Sequence, residues 1–424
     1  MIKSITGTKD ILHPEISNWK KLEEIVKQVF ASFNYKEIRT PVFEETALFA
    51  RGIGEETDIV GKEMYTFLDR SETSVTLKPE MTASVVRAYI EHSLGSKSSL
   101  NKLYYISPMF RQERPQAGRL RQFHQFGAEA IGSTSPLLDA EMIQMPYFIM
   151  KELGLKDLAV KINSLGVPQS RDEYKKHLKD FLKDRKDKLS EDSRRRFDKD
   201  ILRIFDSKIE SDQELIKDAP LLIDYLDEES KYDFETVKEL LSKTGVPFEV
   251  DFKLVRGLDY YTKTTFEIVS GKVGSQSALC GGGRYDLLVE QLGGKPAPGV
   301  GFAAGMERIL LACENENLLI SDDDKLDLYL IKIDKELTDK IFQTALAFRR
   351  KNISVEFDYL DRSVKAQMRE ANKLNSRFVL FIGGDEYKSG FMNLKDMSSG
   401  EQFPIPVDNP DAVEVYLKKD ISLL

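Results

Sequence analysis

The sequence predicts an α+β fold: one split domain, a helical insertion within it, and a separate α/β module at the C-terminal end. Three observations carry this. From Met1 to about Asn163, short β-like runs alternate with amphipathic helices and glycine turns. From Val167 to Leu241 the chain reads as helical and very highly charged, and from Val246 to Cys313 glycine and β-branched residues return. The return of the first texture makes the middle stretch an insertion, so the expected domains are 1–324, interrupted at about 167–241, and 325–424. Length agrees: 424 residues, at about 150 per domain, make two to three domains.

The N-terminal stretch, MIKSITGTKDILHPE, lacks the apolar segment of a secretory signal, and no apolar run approaches the ~20 residues of a membrane span. Two cysteines, Cys280 and Cys313, build neither a disulfide framework nor a CxxC zinc pair. A soluble, cytoplasmic protein of a reducing compartment is expected.

The segment SPMFRQERPQAGRLRQFHQFGAE, Ser107 to Glu129, reads as strand, turn, strand, with Pro115 to Gly118 in the turn. Strand side chains alternate between faces, so Arg111 and Glu113 share a face, as do Arg119, Arg121, Phe123, Gln125 and Glu129. The other parity, Phe110, His124, Phe126, Ala128 and Ala130, is the expected core face. A solvated hairpin also alternates in this way. Guanidiniums that suit phosphate oxygens, a ring that suits a purine and carboxylates that suit an amine or imidazole N–H favour a nucleotide-plus-amine site.

In LVRGLDYYTKTTFE, Leu254 to Glu267, Arg256 precedes a glycine turn and two tyrosines. In GFAAGMERILLAC, Met306, Ile309, Leu310 and Cys313 fall at i, i+3, i+4 and i+7, predicting a helix with Arg308 near its N-terminal end, where free N–H groups favour anions. SDDDK, Ser321 to Lys325, reads as a linker. Beyond it, LDLYLIKI, a helix over Glu336 to Lys351, ISVEFDY, a helix over Ser363 to Asn375, RFVLFIGG, FMNLKDM, EQFPIPV and a helix from about Pro410 to Lys419 spell β-α-β-α-β-β-β-α.

Several function classes are disfavoured. PGVGFAAG is GxGxxxG, not the dinucleotide fingerprint, and no GxxxxGK[ST] occurs. Neither cysteine has a neighbouring histidine, and His13, His92, His124 and His177 are scattered, so ordinary structural roles are expected and no metal site. The 62 basic and 70 acidic side chains leave a net charge of −8, which excludes a global polycation. Locally, residues 175–208 hold 13 basic and 8 acidic groups, while 209–239 hold 3 and 11. By charge alone Lys175 to Lys208 is a candidate for a nucleic-acid backbone, with a solvated helix face as the alternative.

Together these stretches resemble one family. The Arg111–Glu113 strand, its loop and Phe123 look like motif 2 of class II aminoacyl-tRNA synthetases, GFAAGMERI resembles motif 3, and RTPVFEETALF around Pro41 resembles the dimer-forming motif 1. LVRGLDYY and CGGGRYD (Cys280 to Asp286) are similar to stretches of histidyl-tRNA synthetases, TLKPEMTAS (Thr76 to Ser84) to that family's amino-acid loop, and residues 325–424 to the class IIa anticodon-binding domain.

The resemblance implies an antiparallel sheet flanked by helices, a homodimer, and activation of histidine by ATP with magnesium, followed by transfer to the 3′ end of tRNA-His. It implies that Arg111 and Arg256 clamp the α-phosphate and substrate carboxylate, with Gln125 beside them as a catalytic-site residue. Arg308 would hold the γ-phosphate, Phe123 would stack on adenine, and Glu113 and Arg119 would complete the ATP site. Glu129 and Tyr261 would read the imidazole, Glu80, Thr82 and Gln125 would hold the α-amino group, and Tyr260 would lie beside them. Met81 stands where many bacterial members carry glycine, and either crowds the amino-acid loop or packs behind it. The loop from Arg114 to Gly118 is a candidate for reading the tRNA end. Two alternatives are a synthetase-like regulatory subunit of an ATP phosphoribosyltransferase and a class IIa enzyme for another amino acid. The retained arginines and C-terminal module weigh against the first, and LVRGLDYY with the Glu129–Tyr261 pair against the second.

Overall fold

The strands of the first unit are, in chain order, β1 (Lys36–Glu37), β2 (Phe43–Glu45), β3 (Tyr65–Leu68), β4 (Ser74–Leu77), β5 (Asn101–Phe110), β6 (Gln122–Ile131), β7 (Ala159–Ser164), β8 (Phe248–Val250), β9 (Thr262–Val269), β10 (Ala278–Arg284) and β11 (Gly299–Gly305). Eight of them form one sheet in the order β1-β5-β6-β11-β10-β9-β7-β8, and β2-β4-β3 form a smaller one. The large sheet is antiparallel through its middle, while its edge pairs, β1 with β5 and β7 with β8, are parallel. Our computed structural model describes residues 2–54, 57, 59–116, 118–255, 257–271, 278–318 and 325–418, which divide into two compact units, Met1–Leu319 and Ile320–Leu424.

The alternation read from β6 sets the two faces of the sheet. Phe126, Ala128 and Ala130 point into a core shared with Phe302 and Ala304 of β11, Trp19, Leu22, Val26 and Phe30 of the helix Glu15–Ser32, and Met142 and Ile149 of the helix Pro136–Glu152. Ile131, of the other parity, joins Tyr105, Tyr261 and Tyr285 in a second core, to which the insertion contributes Tyr174, Leu178 and Leu182. A fully buried ion pair, Arg284 with Asp139, ties β10 to the helix beneath it, and Arg284 also donates to the carbonyls of Ser133 and Ser135.

The charged middle stretch is helical: Pro168–Leu182, Glu191–Lys199, Glu210–Leu215 and Glu228–Lys243, joined by short 3-10 turns. Asp212 organises it. Its buried carboxylate accepts from the Ser190 N–H and from the hydroxyls of Ser190, Ser193 and Ser207, at 2.6–2.8 Å. Burial pushes the Asp212 pKa up, but these bonds to the ionised form outweigh it and hold it at about 2.

The second unit has strands β12 (Leu328–Lys332), β13 (Val355–Phe357), β14 (Phe378–Ile382), β15 (Phe391–Asp396) and β16 (Gln402–Pro406) in the order β13-β12-β14-β15-β16. The first three are parallel and the last two antiparallel to their neighbours. Its helices, Thr338–Arg349, Val364–Lys373 and Val413–Lys418, fall inside the predicted spans. One element was not expected. RFVLFIGG stops being strand at Ile382, and Gly383 (φ 120°) and Gly384 (φ 78°) turn the chain into a short helix, Gly384–Lys388. Left-handed backbone of this kind favours glycine.

Among the described residues no helix is long and apolar enough to cross a membrane, and no cluster of His, Cys, Asp and Glu could hold a metal ion.

Candidate active site

A cavity of about 320 Å³ opens beside the middle of the large sheet, lined by residues from five separate stretches of the chain. Glu80, Met81 and Thr82 come from the start of the helix Thr82–Glu91, and Arg111 to Gln125 from the segment joining β5 to β6 and from β6 itself. Tyr260, Tyr261 and Glu267 come from β9 and the turn before it, Cys280 and Tyr285 from β10 and its end, and Gly301 to Arg308 from β11 and the helix Met306–Asn315.

The first group of linings is cationic. Arg111 sits over the Phe123 ring, 5.3 Å from its centroid, with its Nε donating to the Pro79 carbonyl at 2.9 Å. Glu113 lies between two guanidiniums, 3.1 Å from Arg119 and 3.8 Å from Arg111. Arg308 donates to two backbone carbonyls, Gly118 at 3.1 Å and Ala278 at 2.9 Å, which fix its plane. Burial and then the charge of Arg119 push its pKa down, an arrangement of crowded cations that an anion would relieve.

The alternation rule alone put these arginines on strands. The structure ends β5 at Phe110 and starts β6 at Gln122, so Arg111, Glu113, Arg119 and Arg121 occupy the connection, where Pro115 has no N–H to offer a ladder. The two arms still lie side by side, with the Arg111 N–H donating to the Arg121 carbonyl at 2.9 Å. Arg121 is not part of the cavity wall.

The second group is carboxylate, amide and phenol. Glu80 is buried, and its two oxygens accept from the Thr82 and Ala83 N–H groups at 2.7 and 2.9 Å, capping the helix that follows. Burial pushes its pKa up, with these bonds and the nearby Arg111 charge opposing. Gln125 carries a buried Oε1 with no hydrogen-bond partner among the described residues. A buried acceptor left unpaired is costly, so this atom marks a place where a donor belongs.

Glu129 is fully buried directly behind this wall, where Thr82 donates to one oxygen at 2.8 Å and Tyr285 to the other at 2.5 Å. Burial raises its pKa to about 8 against the pull of those two bonds, with the Glu80 charge adding to the rise. Gly301 of β11 makes room for it, since a Cβ there would run into the Glu129 carboxylate. Tyr260 and Tyr261 are buried with their rings 4.7 Å apart, and Tyr260 meets Tyr285 edge-on at 5.8 Å. Met81 is buried in the second core with its sulfur facing the Thr40 hydroxyl at 3.5 Å. It also reaches the cavity wall, and Glu80 keeps its helix-capping bonds beside it.

The structure thus brings together Glu80, Met81, Thr82, Arg111, Glu113, Arg119, Phe123, Gln125, Tyr260, Tyr261 and Arg308, with Glu129 behind them. Arg256 lies outside the described residues. His124 has an ordinary structural place: its backbone N–H and Nδ1 engage Glu307 at 2.9–3.0 Å, and its ring meets Trp19 edge-on. Sequence reasoning missed Tyr285, Glu267 and Glu307 in the wall. Tyr285 had a signal: the glycine run before it. A Cβ on Gly283 would sit 2.6 Å from the Thr264 carbonyl and 2.9 Å from the Tyr261 ring, so the run marks the crowded centre of the sheet.

Comparison with known proteins matches the histidyl-tRNA synthetase family over residues 7–309 and the anticodon binding domain family over 327–414. The chain belongs to the histidyl-tRNA synthetase family. It is 47% identical to a histidine–tRNA ligase of Geobacillus sp. over 98% of each chain, and 47% identical to that of Halothermothrix orenii over 96% of this chain and 97% of the relative. The apo histidyl-tRNA synthetase of S. aureus superposes with a TM-score of 0.83 at 39% identity, over 99% of this chain and all of that one. As a histidyl-tRNA synthetase, a class II enzyme, the chain takes ATP and histidine as substrates and tRNA as partner.

Proposed function

We propose that histidine and ATP react within this one cavity, and that its two groups of residues divide the work. The observation that carries the reading is that the cationic group and the carboxylate–amide–phenol group line the same space. A histidine carboxylate is ionised at neutral pH and needs no base. Its oxygen bonds to the α-phosphorus, the bond to the β-phosphate oxygen breaks, and pyrophosphate leaves with the electron pair. The obstacle is an anion approaching an anion whose oxygens gain charge, which fixed cations relieve.

Arg111 meets the α-phosphate and the substrate carboxylate, and Arg256, of the LVRGLDYY stretch, completes that clamp. Arg308 takes the γ-phosphate, Phe123 stacks on adenine, and Glu113 with Arg119 closes the ATP side. Magnesium would come with the triphosphate as part of the substrate and would screen its charge, and Glu113 and Glu267 are among the carboxylates of the cavity wall that would face it. The Gln125 Oε1 accepts from the α-amino group, with Glu80 and Thr82 beside it. Glu129 and Tyr261 satisfy the donor and acceptor nitrogens of neutral imidazole. A side chain that leaves them unpaired is rejected strongly, on the order of 10⁴-fold in comparable sites. In the second step the terminal ribose hydroxyl of tRNA-His attacks the acyl carbon, the bond from that carbon to the phosphate oxygen breaks, AMP leaves with the electron pair, and the hydroxyl proton passes to the departing phosphate; the Arg114–Gly118 segment meets the tRNA end.

Two copies complete the enzyme, and we place it in the cytoplasm. The small sheet leaves Val42, Phe43, Phe67 and Leu68 between 40% and 67% exposed around the stretch that resembles motif 1, an apolar patch a second copy would cover.

ATP–pyrophosphate exchange tests the substrate: histidine alone of the twenty amino acids should drive it. Exchange driven equally by threonine, proline or glycine, or none at all, overturns the reading.

A further inference from the structure

We propose that the insertion holds the histidine side of the cavity in shape through Lys263, which acts as a positioning residue. This rests on the placement of histidine beside Tyr260 and Tyr261. Lys263 lies in β9, two residues beyond Tyr261, yet its ammonium is buried and faces the insertion. Its Nζ donates to Glu229 at 2.6 Å and to Asp233 at 2.7 Å, both on the helix Glu228–Lys243.

The backbone there is unusual in two ways. Lys263 has φ 42°, left-handed backbone that a residue with a side chain rarely adopts inside a strand. The pairing with β10 also breaks at this point: Gly283 faces Thr265, but Arg284 faces Thr262, so two residues of β9 bulge out of the ladder. The bulge is held from the insertion side. The Lys263 N–H donates to the Gly166 carbonyl at 3.0 Å, and its own carbonyl accepts from the Leu165 N–H at 2.7 Å. Arg171, on the insertion helix Pro168–Leu182, donates to the Tyr261 carbonyl at 2.7 Å.

Two insertion helices therefore hold Tyr261 and Lys263, on either side of Thr262, and Tyr261 lines the cavity. Without the bulge Arg284 would face Thr264, and Tyr261 would shift by two positions along the ladder, away from its place in the cavity wall. Burying an ammonium against two carboxylates ties the bulge to one arrangement of the helix, because removing either side leaves an uncompensated buried charge. The acidic end of the insertion thereby acquires a task at the amino-acid pocket, distinct from any contact with nucleic acid.

The test is ATP–pyrophosphate exchange by the full-length Lys263→Met, Asp233→Asn and Lys263→Arg variants, with histidine and ATP varied in turn. Lys263→Met should raise the histidine KM by about tenfold or more, while the ATP KM stays within about twofold, as a misplaced binding group would produce. Lys263→Arg should restore most of the loss, and Asp233→Asn, which leaves Glu229, should fall between. Should thermal unfolding show that Lys263→Met does not fold, Asp233→Asn carries the test alone. An unchanged histidine KM, or histidine and ATP values rising together, overturns the proposal. Tyr261→Phe, measured alongside, separates the two readings. If it too leaves the histidine KM unmoved, the placement of histidine has failed; if it raises it while the Lys263 and Asp233 variants do not, only the clamp has.

Discussion

Tyr285 donates its hydroxyl to Glu129 at 2.5 Å, joining the end of β10 to β6 through a carboxyl group with no exposure to solvent. With Thr82 on the other oxygen, the carboxyl is held in one orientation before any substrate enters. Preorganised polar groups of this kind discriminate by leaving the wrong ligand's partners unpaired. The arrangement carries a cost, because ionising a buried carboxyl opposes folding.

That cost should be visible as a pH dependence. Burial holds the folded Glu129 pKa at about 8, above its unfolded value near 4.5. A raised acid binds its proton more tightly when folded, so its contribution is fully present below pH 4.5 and is lost as pH rises through 8. Glu129→Gln cannot ionise. Thermal melts from pH 5 to pH 9 should show the variant gaining on the parent as pH rises, by on the order of a few kcal/mol across the window. A pH-independent difference would remove this account. The same variant should raise the histidine KM by about tenfold or more.

Arg308 and Arg256 should separate by kinetic signature. The Arg308 guanidinium is fixed by the Gly118 and Ala278 carbonyls, which a single-pronged ammonium cannot bridge equally. Arg308→Ala should lower kcat/KM for ATP by about 10²-fold, leave the histidine KM nearly unchanged, and not be rescued by lysine. Arg256→Ala should instead lower turnover by roughly 10²–10³-fold, as for loss of one transition-state donor. Steady-state exchange kinetics read both, and an unchanged turnover for Arg256→Ala removes it from the catalytic role.

Much of this site is legible in the sequence, for a physical reason. Phe123, Gln125 and Glu129 share a parity, and β6 is regular enough for a period of two to hold across them. The same rule fails at Arg121, which shares the parity but not the cavity wall, because it has no term for a ladder that stops at Phe110 and resumes only at Gln122. The glycine run marks the crowded place where Tyr285 sits, but its bond to Glu129 is hidden, because the partner lies 156 residues away and no local pattern encodes such a pairing. The short helix Gly384–Lys388 goes unread because two glycines ending an apolar run read equally well as the end of a strand, with 385–388 left as a plain connection. Lys263 is invisible for both reasons at once: its backbone departs from the strand pattern and its partners lie on a different part of the chain.

Asp212 should prove the keystone of the insertion. Four hydrogen bonds hold its pKa at about 2, below its unfolded value near 3.8. A depressed acid contributes stability that is present above the unfolded value and is lost as pH falls through the folded one. Asp212→Asn should therefore cost about 2 kcal/mol at pH 7 and nothing additional near pH 2. Chemical denaturation at neutral and acid pH checks this, and equal stabilities at pH 7 would refute it.

The basic stretch Lys175 to Lys208 can be tested for tRNA, but not by deleting it. The structure places Leu178, Leu182, Leu189, Ile201 and Ile204 of that stretch in the core, so deletion would expose apolar surface as well as remove charge. Its cations are also unequal. Lys186 is paired with Asp198 at 2.7 Å and Arg195 with Asp192, whereas Lys176, Lys179, Lys188 and Arg194 are exposed on the outer surface of their helices. Replacing those four by glutamine leaves the core intact. If the stretch follows a phosphate backbone, every phosphate that one of these cations neutralises adds up to about 0.9 to the slope of log affinity against log salt. The glutamine variant should then show a flatter slope and weaker tRNA binding. Histidine-dependent exchange, which needs no tRNA, should stay within about twofold of the parent. A salt slope identical to the parent's would make this a solvated helix face and move the search for the tRNA track elsewhere on the molecule.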